Sequence, residues 1–64
     1  MLEDWQQRVL DERSALQEKI NKLRQYIGDK AAANDHDVGF GLLKAQLGVM
    51  IGYEAILTLR INQF

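Results

Sequence analysis

Residues 40–64 read FGLLKAQLGVMIGYEAILTLRINQF, and the spacing of their apolar side chains decides the fold. One row with helical spacing of three and four runs Phe40, Leu43, Leu47, Met50, Leu57, Ile61, Phe64. A second row runs Leu42, Val49, Tyr53, Ile56. A helix that covers only a small partner carries one apolar stripe, whereas a helix apolar nearly all round is buried on several sides. The chain has 64 residues, too few to cover both rows itself. The second row therefore predicts cover from further copies of the same chain.

Upstream, residues 2–27 read as one helix. Apolar positions recur at Leu2, Val9, Leu16 and Leu23, with Trp5, Ile20 and Ile27 beside them. The outer face offers i,i+4 charge pairs such as Asp4–Arg8 and Glu18–Lys22. Gly28 is placed to end this helix as its C′ residue. A loop is expected over 28–36, although Lys30-Ala-Ala-Ala33 has enough helix propensity to extend helix 1 or add a short turn. Asp35 or Asp37 supplies the N-cap of a second helix over 37–63. No proline interrupts either segment. The expected architecture is all-α: one domain over 1–64, an antiparallel two-helix hairpin that assembles into a compact homo-oligomeric bundle. Gly41, Ala45, Gly48, Gly52 and Ala55 make a nearly continuous small-residue strip along which another helix can lie close.

Composition narrows the function classes. Below about 70–80 residues a single core seldom supplies more than roughly 3–5 kcal/mol without a staple. There is no cysteine for a disulfide or thiolate metal site, and there is one histidine. Oligomerisation is the remaining device. The net charge of −1 argues against duplex nucleic acid as partner. Residues 38–61 could span a bilayer in length, but Lys44, Gln46, Glu54 and Arg60 are each costly in hydrocarbon, so no membrane partner is expected. In a soluble bundle the Gly48/Gly52 pair means close backbone approach. Met1–Trp5 has no basic region and does not read as a signal peptide.

The chemistry-bearing residues are few. Asn34-Asp35-His36-Asp37 lacks the later ligands of a calcium loop and reads as a turn and helix cap, so no metal or cofactor is implied. No nucleophile is paired with a base, which predicts a non-catalytic protein. On helix 1, Trp5 offers a stacking face, and Arg8, Arg13, Lys19 and Lys22 offer phosphate donors. The plainer alternative packs Trp5 against the end of helix 2 and leaves the cations as a solvated face; the residues alone favour it. Arg60 lies in line with the second apolar row. A cation in an assembly seam needs a partner, either a neighbour's carboxylate such as Glu54 or an anionic ligand.

The ordered set Trp5-Gln-Gln-Arg8-Val9, Glu12, Leu16-Gln-Glu-Lys19-Ile20, Leu23 and Tyr26-Ile27 resembles the first helix of a phage hairpin family. Leu43, Gln46-Leu47, Met50, Tyr53, Ile56-Leu57, Arg60-Ile61 and Phe64 continue the likeness through helix 2. The family is that of the small anti-CBASS sponges, whose hairpin domain is shared with an anti-Thoeris sponge. Residues 30–39 depart from it, being polar and alanine-rich where the family often places apolar turn residues. The resemblance implies a homo-hexamer in the host bacterial cytoplasm. Such an assembly binds cyclic di- and trinucleotide immune messengers between protomers without cleaving them. It further implies a cyclic dinucleotide site at Trp5 and Lys19, with Arg8 close by and Asp4 adjacent, and a trinucleotide site at Arg60. A ligand-free oligomerisation module accounts for the apolar rows equally well.

Both alternatives require self-assembly. Sedimentation at micromolar concentration is expected to give a mass above the 7.3 kDa of one chain. A well-folded single subunit under those conditions would refute the shared premise.

Overall fold

The computed structural model describes residues 1–64 and contains two helices, α1 (Asp4–Ala32) and α2 (Val38–Ile61), packed as a hairpin. The rod measures 49 × 14 × 14 Å. Its radius of gyration is 14.8 Å, against about 11 Å for a compact chain of this length. Such a shape has little interior. Four of the 64 residues are buried, Val9, Leu16 and Ile20 of α1 and Leu57 of α2, and Leu47, Met50 and Ile61 pack partly covered against them. The seam is the first apolar row of α2 laid along one stripe of α1.

Helix boundaries differ from those expected, and local chemistry explains each difference. Leu2 stays outside α1 because Glu3 starts the helix. The Glu3 backbone N–H donates to Gln6 Oε1 at 2.8 Å, and the Glu3 side chain accepts from the Gln6 backbone in return. Gly28 does not end α1. The helix runs on to Ala32, because the good helix formers at 30–32 outweigh a glycine cost of about 1 kcal/mol. The left-handed residue after the helix is Asn34, with φ 57°. Its N–H donates to the Ala31 carbonyl at 3.0 Å, and the Asp35 N–H to that of Lys30 at 2.9 Å, a Schellman closure. The loop is thus 33–37 rather than 28–36. Asp37 caps α2, its Oδ1 accepting from the Phe40 N–H at 2.9 Å. The last helical residue of α2 is Ile61.

Polar contacts flank the apolar seam. Gln17 Nε2 donates to Glu54 Oε1 at 3.0 Å, Thr58 Oγ1 donates to the same oxygen at 3.0 Å, and Arg13 Nη1 reaches Thr58 Oγ1 at 3.5 Å. Of the two expected charge pairs on α1, Glu18–Lys22 forms at 3.2 Å; Asp4–Arg8 does not.

The second row of α2 has no cover within the hairpin. Leu42 is 71% exposed and Val49 73%, with Tyr53, Ile56 and Leu59 also exposed. The small-residue strip is exposed as well, and α1 does not occupy it: no heavy atom lies within 4 Å of where a Cβ would stand at Gly41, Gly48 or Gly52. Helix α2 is long and apolar enough to cross a bilayer by length and composition. Its packed partner α1 carries charges throughout, which opposes insertion of the hairpin.

Leu57 is the one fully covered side chain. Leu57→Ala is expected to cost about 2–5 kcal/mol, read from urea unfolding at fixed protein concentration. Val49→Ala, on the exposed row, should cost far less in any preparation held monomeric.

Candidate functional site

Four concavities mark the rod, and their linings differ in chemistry. At the open end, Trp5 meets Phe64 edge-on, with centroids 5.2 Å apart and planes at 80°. The plainer expectation for Trp5 is therefore met, yet the residue remains 49% exposed. Trp5, Asp4 and Arg8 line a recess of about 410 Å³ with residues 1–3. Arg8 makes no ion pair there. One turn of helix brings Arg8 near both others, because it follows Trp5 by three residues and Asp4 by four.

Lys19 stands elsewhere. It lies about 21 Å along the helix axis from Trp5 at 1.5 Å per residue. It lines a groove of about 340 Å³ with Lys22, Leu23 and Tyr26 of α1 and Gln46 and Met50 of α2. The structure thus groups Asp4, Trp5 and Arg8 and separates Lys19 from them. Arg60 is exposed on the outer surface of α2 and makes no ion pair within the hairpin. Glu54 is turned to Gln17 and Thr58 of its own chain.

Sequence reasoning singled out Lys22 among the cations but passed over Tyr26 and Gln46. Tyr26 was detectable, since 19, 22 and 26 fall on one helical stripe. Gln46 was not, because its position opposite Tyr26 depends on the hairpin register.

The tip carries the tightest electrostatics. Lys30 Nζ lies 3.1 Å from Asp35 Oδ2 and 3.4 Å from Asp37 Oδ2, and 5.5 Å from the Tyr26 ring centroid. Its side chain is 13% exposed. The hydrogen bond to Asp35 holds the ammonium above its ordinary pKa of 10.5; desolvation opposes this, and the Asp37 bond and both carboxylate charges add to it. The two aspartates that resembled metal ligands are thus engaged by a lysine. The His36 ring lies against Phe40 at a tilt of 44° with centroids 4.8 Å apart, and Lys44 Nζ sits 5.2 Å from the same ring.

The chain matches the family model described as Sequestin over residues 3–63. It belongs to the Sequestin family. No curated protein and no solved structure matches it. The Sequestin name fits a sequestering protein, in line with the sponge resemblance. The matched span takes in the Asp4–Trp5–Arg8 recess, the Lys19 groove, the tip and Arg60.

The tip clasp sets a pH dependence. A lysine pKa raised by folding contributes stability that is complete below 10.5 and fades as pH climbs through the raised value. Between pH 9 and 11.5 the wild type should lose more of its urea midpoint than Lys30→Met. Equal losses would show that the clasp contributes nothing to folding.

Proposed function

We propose that this chain is a phage-encoded, non-catalytic sponge. In the cytoplasm of the bacterial host it binds cyclic oligonucleotide immune messengers, holds them intact, and so blocks CBASS-type antiviral signalling. Membership of the Sequestin family over residues 3–63 is the observation that carries this proposal.

The geometry supports it in three ways. First, free cations stand beside open aromatic surface: Arg8 with Trp5, and Lys19 with Tyr26. Cations neutralise phosphates and an aromatic ring stacks a base, which are the two needs of a cyclic dinucleotide. Second, Trp5 and Lys19 are too far apart on one rod to close around a single small ligand. A pocket that uses both joins the end of one protomer to the middle of another. Third, the uncovered row Leu42, Val49, Tyr53 and Ile56 supplies the driving force for that association. The bare glycines at 41, 48 and 52 admit a neighbouring helix at short range.

In this assembly, a homo-hexamer, Trp5 stacks a base, Arg8 and Lys19 hold phosphates, and Asp4 accepts from an exocyclic amine of the base. Arg60 serves a trinucleotide site where protomers meet on the outer surface of α2. Preassembly matters for a sponge: a pocket already ordered before the ligand arrives loses less affinity to immobilisation, and tight binding at low messenger concentration follows. The alternative of a ligand-free oligomerisation module draws on the Trp5–Phe64 contact, which gives Trp5 a purely structural role.

A thermal-shift panel of cyclic di- and trinucleotides, with linear adenine nucleotides for comparison, separates the two. The sponge predicts stabilisation by at least one cyclic messenger and recovery of that molecule intact after heat denaturation. Recovery of a linearised product indicates a nuclease instead, and no shift with any compound indicates the structural module. Trp5→Ala or Lys19→Ala should weaken dinucleotide binding about tenfold or more with the oligomer mass unchanged, on the scale of one lost stacking or charged contact. Arg60→Ala should act on trinucleotide binding alone.

A further inference from the structure

The two long flanks of the hairpin are unlike in charge. On one, Gln17, Ile20, Asn21 and Arg24 face Ile51 and Glu54 across a groove of about 310 Å³, so its walls carry one cation and one carboxylate, which form no ion pair with each other. On the other, Lys19, Lys22, Leu23 and Tyr26 face Gln46 and Met50, and two ammonium groups line the groove with no carboxylate among its walls. Lys19 has no ion pair. The pair that Lys22 makes with Glu18 is highly exposed on both sides, the kind of contact that is worth little and readily exchanged. The tip recess next to it, lined by Lys22, Gln25, Tyr26, Asp29, Lys30, Ala33 and Asp35, contrasts with it again, because Lys30 is already neutralised there by Asp35.

The geometry points to the Lys19–Tyr26 flank as a groove that holds one nucleotide unit per protomer, with the base on the Tyr26 ring beside Gln46 and the phosphate at Lys22 and Lys19. This rests on the sponge proposal and adds Tyr26, Lys22 and Gln46 to the Lys19 side of its pocket, the side opposite the Trp5 that another protomer brings. Tyr26, Lys22 and Lys19 follow one stripe of α1, with axial steps of about 6 Å and then about 4.5 Å. That order, ring then two cations, matches the order of base and 5′-phosphate in a nucleotide. Lys30 braces the Tyr26 ring from one side, and half of the residue remains open to a ligand. Leu23 and Met50 give the groove an apolar floor. Gln46 Nε2 rests 3.8 Å from Met50 Sδ, a weak contact that a base edge can replace, and its amide offers both a donor and an acceptor.

A consequence is a stoichiometry. A cyclic dinucleotide contains two such units related by a two-fold axis, and two grooves facing each other across a protomer pair would take one unit each. One dinucleotide then binds per two chains.

Calorimetry on the full chain with cyclic di-AMP and cyclic di-GMP as probes tests the assignment. Tyr26→Leu, which keeps apolar bulk and loses the aromatic face, is expected to weaken binding at least about tenfold, whereas Tyr26→Phe stays close to wild type. Lys22→Gln should weaken binding and reduce its dependence on salt. Gln46→Leu should change the ratio of affinities for the two probes. Arg24→Gln on the balanced flank should leave binding unchanged. Circular dichroism and solution mass confirm that each variant is folded and assembled. If the wild type binds a probe and folded Tyr26→Leu and Lys22→Gln bind it equally well, the groove is not the site, and the sponge proposal stands without it. A ratio other than one dinucleotide per two chains overturns the one-unit assignment. If the wild type binds neither probe, the groove assignment is overturned; a shift with another cyclic messenger in the thermal panel would leave the sponge proposal standing.

Discussion

Everything in this hairpin depends on one apolar seam, the row of α2 centred on Leu57 pressed against Val9, Leu16 and Ile20. It is thin. A rod 14 Å across has room for one layer of side chains between its helices, and a single layer leaves most of each helix facing outward. The polar contacts of Gln17, Glu54, Thr58 and Arg13 add register more than energy, since partly exposed hydrogen bonds exchange with water at little net gain. The same thinness leaves Leu42, Val49, Tyr53 and Ile56 in view. Helix α2 thus satisfies its partner with one face and presents a second apolar face outward.

The ends of the rod solve different problems. At the tip, the Schellman closure at Asn34 and the Asp37 cap satisfy backbone groups that two helix termini leave unpaired, and Lys30 sits between two side-chain carboxylates. The tip is therefore occupied by its own electrostatics. At the open end, Trp5 touches Phe64 with one edge and leaves the rest of its ring exposed beside an unpaired Arg8. Between the ends, one flank is balanced by Arg24 and Glu54, while the other gathers Lys19, Lys22 and Tyr26 without a facing carboxylate. Arg8 and Lys19, neither of them in an ion pair, lie far apart along α1, and the separation makes a ligand site that uses both a property of more than one chain.

The Sequestin match suggests a sequestering role. The arrangement of cations and rings is the ground on which the sponge proposal names a phosphate-bearing compound with stackable bases.

The sequence by itself determined the two helices and their pairing, because 3.6-residue periodicity is a local property that the chain carries wherever it goes. It also exposed the second row as surplus. It misjudged the end of α1, since Gly28 competes with the helix formers at 30–32 and the winner is settled by a left-handed turn at Asn34 whose closure local spacing does not announce. The candidate site was legible only in part: Trp5, Arg8, Lys19 and Arg60 stood out by type, and Tyr26 shared the stripe of Lys19 and Lys22. The separation of Lys19 from Trp5 by about four turns was legible from their spacing on one helix; only the tertiary structure decided that Lys19 lines a groove with α2, that Gln46 shares that groove with Tyr26, and that Glu54 is engaged within its own chain. Those facts follow from the register of one helix against the other, which is set by how the Leu57 seam closes and is written in no single stretch of residues.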